Sequence, residues 1–261
     1  MEKPHDPKIN VERIVRYITG MSALELERIG RMAALSVVEQ DKDLITEEIL
    51  IEQINIIKYG HKVEKKMVET LEKELKMTAY HEAAHAVLSV LLLPHVKIEQ
   101  VTISPRSKML GFVSYNEEDP LSNISKIDLF HDICVLLSGR SAKVKKMGDD
   151  QMDSGAQNDL SQASLQAYAA ITTLGMDKEL GYINLSAINT LDNYFLEQQI
   201  EKRFLHWMHV AKQNAEKLVD THWKKIETLA QKLIEQEIVE SDELALIIGD
   251  EELSHQLPDS L

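Results

Sequence analysis

Two histidines and a glutamate, His81-Glu82-Ala83-Ala84-His85, stand inside a run otherwise made of small and apolar residues: Ala79, Ala86, Val87, Leu88 and onward to Leu93. Pro94 stops the run. The pattern predicts a helix from about Tyr80 to Leu93. Residues four apart share a helix face, so His81 and His85 can present two imidazole nitrogens to one point. Glu82 projects close by without needing to join them. Polar groups in such surroundings need partners, and a metal ion supplies them. Chance alone would place this trio in a chain of this length at a rate of roughly a few per cent, and the apolar context argues against chance. Zinc suits the set: it accepts imidazole and carboxylate, has no redox chemistry, and acidifies water that Glu82 can deprotonate.

Two histidines do not complete a catalytic zinc site, which usually has three protein ligands. A third histidine six residues on, the metzincin spacing, is excluded because Leu88 and Leu91 occupy the required glycine and histidine positions. His95 and Glu99 lie beyond Pro94, and spacing favours neither. An acidic loop offers Asp149, Asp150 and Asp153, with Asp159 just after it. The residues alone leave this choice open.

The rest of the chain reads as helix-rich. Asn10 caps a helix to Ile18 and Gly20 ends it; Ser22 opens a second, with Leu24, Leu26, Ile29 and Ala33-Ala34-Leu35 as its apolar face. Thr46 begins a third through Ile57, closed by Gly60. A charged connector follows to Lys76. After Pro94, Ile98 to Ser104 and Gly111 to Asn116 read as strands joined by a hairpin or loop over Pro105 to Leu110. Helices resume from about Ser125 to Val144 and from about Asn158 to Thr173, separated by a loop at Gly148 to Gly155. Asp192 to Gln236 is amphipathic and helical, with Trp207 and Trp223 as packing anchors.

With 44% hydrophobic residues among 261, a sizeable core is available and wholesale disorder is not expected. The net charge of -14 argues against nucleic acid as a partner. The single cysteine, Cys134, rules out an internal disulfide framework and reads as a small buried residue, in keeping with a reducing compartment. No stretch reaches the roughly 18 apolar residues of a membrane span, and the N-terminus lacks an apolar signal core. The chain is therefore expected to be soluble.

Five blocks, in order, carry a resemblance. They are Tyr80-His81-Glu82-Ala83-Ala84-His85-Ala86; Val101-Thr102-Ile103-Ser104-Pro105-Arg106 followed by Gly111-Phe112-Val113; Leu137-Ser138-Gly139-Arg140-Ser141-Ala142; Ser154-Gly155-Ala156-Gln157-Asn158-Asp159-Leu160; and Gly175-Met176-Asp177-Lys178-Glu179-Leu180-Gly181. Together they resemble the FtsH family of membrane-bound ATP-dependent zinc proteases. Thr19-Gly20-Met21-Ser22 and Ala33-Ala34-Leu35 resemble, more loosely, the helical lid of that family's AAA ATPase module.

The resemblance implies a mainly α fold: a helical zinc-peptidase domain with a small β-hairpin or sheet, preceded by a small lid-like bundle. The expected boundaries are a bundle over 1–62, a connector over 63–76, the peptidase domain over 77–250 and a tail over 251–261. It further implies His81, His85 and Asp159 as zinc ligands and Glu82 as general base. An extended substrate would pair with a strand edge at Val101, Thr102 and Ile103 or at Gly111, Phe112 and Val113. The activity implied is endopeptidase cleavage of unfolded or membrane proteins, by a homo-hexamer at the cytoplasmic face of a membrane. No Gly-x-x-x-x-Gly-Lys-Ser/Thr segment occurs, so this chain alone is not expected to hydrolyse ATP, and a C-terminal part of a longer protein is the favoured explanation over a stand-alone paralogue. Two positions depart from the family: Ala84 replaces its usual glycine, and Lys143 its usual glutamate. They feed the alternative of an inactive pseudo-protease serving as scaffold or adaptor in a ring.

Overall fold

The computed structural model describes residues 4–63, 68–107, 110–117, 123–187, 194–249, 257–258 and 261. Three N-terminal helices form wherever local caps dictate. Helix α1 (Val11–Ile18) starts where Asn10 accepts the Arg13 N–H. Helix α2 (Ala23–Glu39) begins with a capping box between Ser22 and Glu25, and α3 (Glu47–Tyr59) with Thr46 accepting the Ile49 N–H. Their cores are small: Ala33 and Val37 against Ile45 and Ile49, and Tyr17 against Ile29 and Ile54. The expected apolar face of α2 needs correcting. Its buried stripe is Ile29, Ala33, Ser36 and Val37, whereas Leu24 and Leu35 are 73% and 50% exposed, because they fall on the opposite side of the helix, and Leu26 near its start is 38% exposed.

This bundle is fastened to the remainder of the chain. Arg16 pairs with buried Glu99 at 2.9 Å. The buried Arg106 guanidinium donates to Glu52 at 2.8 Å and to the Gly60 carbonyl at 3.0 Å, and Tyr59 stacks on Phe112.

Helix α4 (Val68–Leu92) overrides the expected connector. Glu72, Lys73, Glu74 and Lys76 are good helix formers, and nothing interrupts them before Pro94, so the charged stretch is the outer end of the same helix. Exposure ends abruptly at Met77, from which point α4 runs through the centre of the main core. Residues 64–67 of the expected connector, and most of the 251–261 tail, lie outside the described residues.

Strands β1 (Val96–Thr102) and β2 (Phe112–Glu117) pair antiparallel, with a register shift between Ile98 and Gln100. A third strand, β3 (Ile238–Glu240), pairs with the other side of β1 over Gln100–Thr102, giving the order β2-β1-β3. Around α4 pack α5 (Lys126–Met147), α6 (Gln157–Thr172), α7 (Tyr194–Thr221) and α8 (Trp223–Gln236), while α9 (Ser241–Ile248) backs the sheet. The long C-terminal helical region is thus two helices divided at His222. Trp207 is fully buried and donates to Asp177, which also receives Arg203; Trp223 stacks on Tyr80. Among the described residues no helix is long and apolar enough to cross a membrane.

Candidate metal centre

The buried middle of α4 carries His81, Glu82 and His85, each less than a tenth exposed. Residue spacing places the two rings on one face, with Nε2 atoms 3.0 Å apart. Asp159, in the first turn of α6, brings an Oδ2 to 3.0 Å from His81 Nε2 and 3.5 Å from His85 Nε2. Ligands held tetrahedrally at zinc distances of ~2.0–2.2 Å stand about 3.3–3.6 Å apart, so these three atoms, at 3.0–3.5 Å, are close enough to share one ion after a small outward shift. Among the described residues it is the one group of three or more such donors.

The hydrogen bonding favours a cation as well. His85 Nδ1 donates to the Val135 carbonyl at 2.8 Å, which fixes the tautomer and leaves Nε2 as a bare acceptor. His81 Nδ1 is buried without a hydrogen-bond partner. With its proton on Nδ1, His81 buries an orphaned donor and turns a second bare nitrogen toward His85 and the aspartate. With the proton on Nε2, it buries an orphaned acceptor. A metal between the rings removes the crowding of acceptors.

The electrostatics follow from burial. Burial and the neighbouring His85 push His81 down to about 4. Burial opposes a charged Asp159, yet the close approach of His81 and His85 outweighs it and holds the carboxyl well below the usual carboxylate range. Burial likewise opposes a charged His85, and Asp159 raises it nonetheless. Burial lifts the Glu82 carboxyl to about 7.

The other carboxylates are elsewhere. Asp149 and Asp150 are exposed, Asp153 is bound to Lys143 at 3.0 Å, Glu99 is bound to Arg16, and His95 is exposed. Of the two strand segments expected to receive substrate, Val101, Thr102 and Ile103 are buried. β1 is also paired on both sides over Gln100–Thr102, so it offers no edge. Gly111 and Phe112 lead into β2, whose outer edge is free among the described residues, and Gly111 packs directly on Thr78 and Glu82.

Three contributors carry no ligand signature in the sequence. The Val135 carbonyl orients His85. Tyr115 on β2 shares a hydrogen bond with Ser89, one helical turn beyond His85. Gly139 on α5 lies so close that a side chain there would begin 2.5–2.6 Å from the His81 ring and His85 Nε2. A glycine in a helix interior costs ~1 kcal/mol relative to alanine, which was the available signal of a close approach.

A histidine pair, a carboxylate from another helix and a glutamate beside them constitute the donor chemistry of metal-dependent hydrolases. Residues 66–247 match peptidase family M41, and the chain belongs to that family. It is similar to the ATP-dependent zinc metalloprotease FtsH 2 of Methylacidiphilum infernorum, at 30% identity over 253 residues, covering 92% of this chain and 38% of that protein. It is also similar to FtsH of Thermotoga maritima, at 29% identity, covering 95% and 42% respectively. The mouse ATP-dependent zinc metalloprotease YME1L1 matches at 28% identity, covering 95% and 34%. The chain therefore spans about two fifths of the length of these curated relatives. The FtsH-type resemblance read from the five sequence blocks holds.

Proposed function

We propose that this chain is the zinc-dependent endopeptidase module of an FtsH-like protease, hydrolysing peptide bonds of unfolded proteins. The observation that carries the reading is the convergence of His81 Nε2, His85 Nε2 and Asp159 Oδ2 beside Glu82. These three side chains would hold zinc, which when bound polarises a peptide carbonyl and acidifies water. Glu82 accepts the proton of the attacking water and returns it to the leaving amine; a carboxyl lifted by burial to about 7 suits both halves of that task. The surrounding alanines, valines and leucines of the core keep bulk water from these groups.

The substrate would add to the free edge of β2, entering at Gly111, Phe112 and Val113. Main-chain pairing there is indifferent to substrate sequence, as a general protein-degrading enzyme requires. The relatives are named ATP-dependent, and no Walker-type phosphate loop occurs in these 261 residues. The unfolding motor would therefore lie outside this sequence. We propose that the module serves a homo-hexameric assembly at the cytoplasmic face of a membrane, with 1–62 as an AAA-lid-like bundle and 77–250 as the peptidase domain. No observation favours the inactive-scaffold alternative: all four groups are present and adjacent. Zinc analysis together with casein hydrolysis tests the reading. One zinc per chain and cleavage abolished by a chelator are expected; a zinc-loaded chain that leaves casein intact would overturn it.

A further inference from the structure

Asp159 reaches the histidines at the end of a segment with few anchors. After α5 ends at Met147, residues 148–155 are exposed, and Ala156 is the first to be buried again before α6 begins. Two 3₁₀ turns shape the stretch. Midway along it, Asp153 accepts both from its own Gly155 N–H at 2.8 Å and, through both carboxylate oxygens, from Lys143 Nζ at 3.0 and 3.2 Å. Lys143 is 8% exposed and lies one turn beyond Gly139, the residue packed on the two histidine rings. One face of α5 thus touches the ligands of α4 and grips the loop that delivers the ligand of α6.

On the proposed zinc reading, we infer that Lys143 is a positioning residue. Acting through Asp153, it holds the turn at Ser154–Ala156 so that the first turn of α6 presents Asp159 to the histidines. Metal–ligand distances tolerate only ~0.2 Å of error; Ala163, Ala167 and Ala170 bury α6 from its second turn onward, whereas the apolar packing of its first turn is the half-buried Leu160 together with Ala156 just before it. Besides the backbone bonds of its turns, the segment has a side-chain tie from Lys73 to Gln151 that joins two exposed side chains and constrains little. Lys143 donates to Asp153 rather than to a ligand, but its charge also bears on His81 and Glu82, lowering both, so Asp153→Asn, which leaves the cation in place, is the variant that isolates the tie to the loop.

The test uses the whole chain and compares Lys143→Met, Asp153→Asn, the double variant and Lys143→Arg. Zinc affinity is measured by competition with a chromophoric chelator. Amide hydrogen exchange at residues 153–156 is followed in the zinc-free protein. The two single variants should weaken zinc binding by the ~10–100-fold typical of losing a group that orients a ligand. The double variant should be no weaker than either single one, and arginine should restore affinity. Exchange at Gly155 and Ala156 should quicken in Lys143→Met while exchange in α4 stays unchanged. At saturating zinc, the kcat of Asp153→Asn should recover toward that of the parent. If Lys143→Met weakens zinc and Asp153→Asn does not, Lys143 acts on the site directly and the inference is overturned. Parental affinity and parental exchange in both single variants overturn it too. A parent that exchanges as described but binds no zinc refutes the zinc reading instead, leaving the exchange comparison to judge the tie between Lys143 and the loop.

Discussion

Replacing Gly139 by alanine adds one methyl group at the point where α5 meets the histidines. Its carbon would start 2.5 Å from His81 Nδ1 and 2.6 Å from His85 Nε2, and ordinary contact begins near 3.4 Å, so the rings must yield by about 0.8 Å. That is some four times the ~0.2 Å within which zinc–nitrogen distances vary. Neither ring has freedom to slide: His85 is tied to the Val135 carbonyl one turn earlier on α5, and His81 is wedged between Gly139 and Asp159. Zinc affinity should therefore fall by roughly 100-fold or more, beyond the loss expected when a ligand loses only its orienting partner. Alanine exceeds glycine by ~0.8–1 kcal/mol in a helix interior, but forcing two buried rings aside costs ~1–3 kcal/mol, so the metal-free variant should melt no higher than the parent. Chelator competition for zinc, paired with a thermal melt of the metal-free protein, reads the two effects separately. Parental zinc affinity in Gly139→Ala would refute the argument that the close approach of α5 shapes the site.

Glu82→Gln should retain zinc and lose hydrolysis by the ~10²–10⁴-fold typical of a missing general base, measured as casein turnover at saturating zinc; loss of the metal would make Glu82 a ligand instead. Asp159→Asn should weaken zinc binding far more than Asp153→Asn in the same chelator assay and should abolish cleavage; the reverse order would transfer the ligand role to Asp153. Asp177→Asn should cost about 1–3 kcal/mol in urea melts, because buried Arg203 keeps only the more exposed Glu179 as a carboxylate partner. Burial opposes the charged form of Asp177, but Leu180 N–H, Trp207 and Arg203 hold its pKa below the ordinary value. A carboxyl depressed in the folded state contributes stability above its unfolded pKa of ~3.9 and loses it as pH falls through the folded value. The variant should therefore show a shallower decline in stability below about pH 4 than the parent.

What was legible in the sequence is what local chemistry decides. Asn10, Ser22, Thr46 and Ser125 each announce a helix, and each caps one. The histidine pair was legible because its spacing matches one helical turn. What long-range packing decides was not legible. β3 is three residues long, too short for any alternation to register, yet it turns β1 from an edge into a central strand, so that Val101 and Thr102 have no free edge to offer. The burial of α2 misled for a related reason: two of its leucines face away from the stripe that Ile29 and Ala33 define. Asp159 could be chosen over its acidic neighbours only by resemblance, since nothing within the loop distinguishes the carboxylate that will meet a helix folded from a distant part of the chain.

The division of labour between helices explains why ligand motifs describe only half of such a centre. On the proposed zinc reading, α4 would supply two donors and a base, and α6 one donor. α5 supplies none, yet it meets the site at Val135, Gly139 and Lys143, which recur at a spacing of four along one face. The first contributes a backbone carbonyl, the second the absence of a side chain, and the third a cation directed at a loop. None of these has the residue type by which a metal site is recognised; the first two act on α4 and the third on the loop that leads into α6. Rows of residues four apart are also the ridges by which helices interdigitate. The packing that builds the core around α4 therefore sets the geometry of the donors as well, and a substitution along this face of α5 should be felt at the metal before it is felt by the fold.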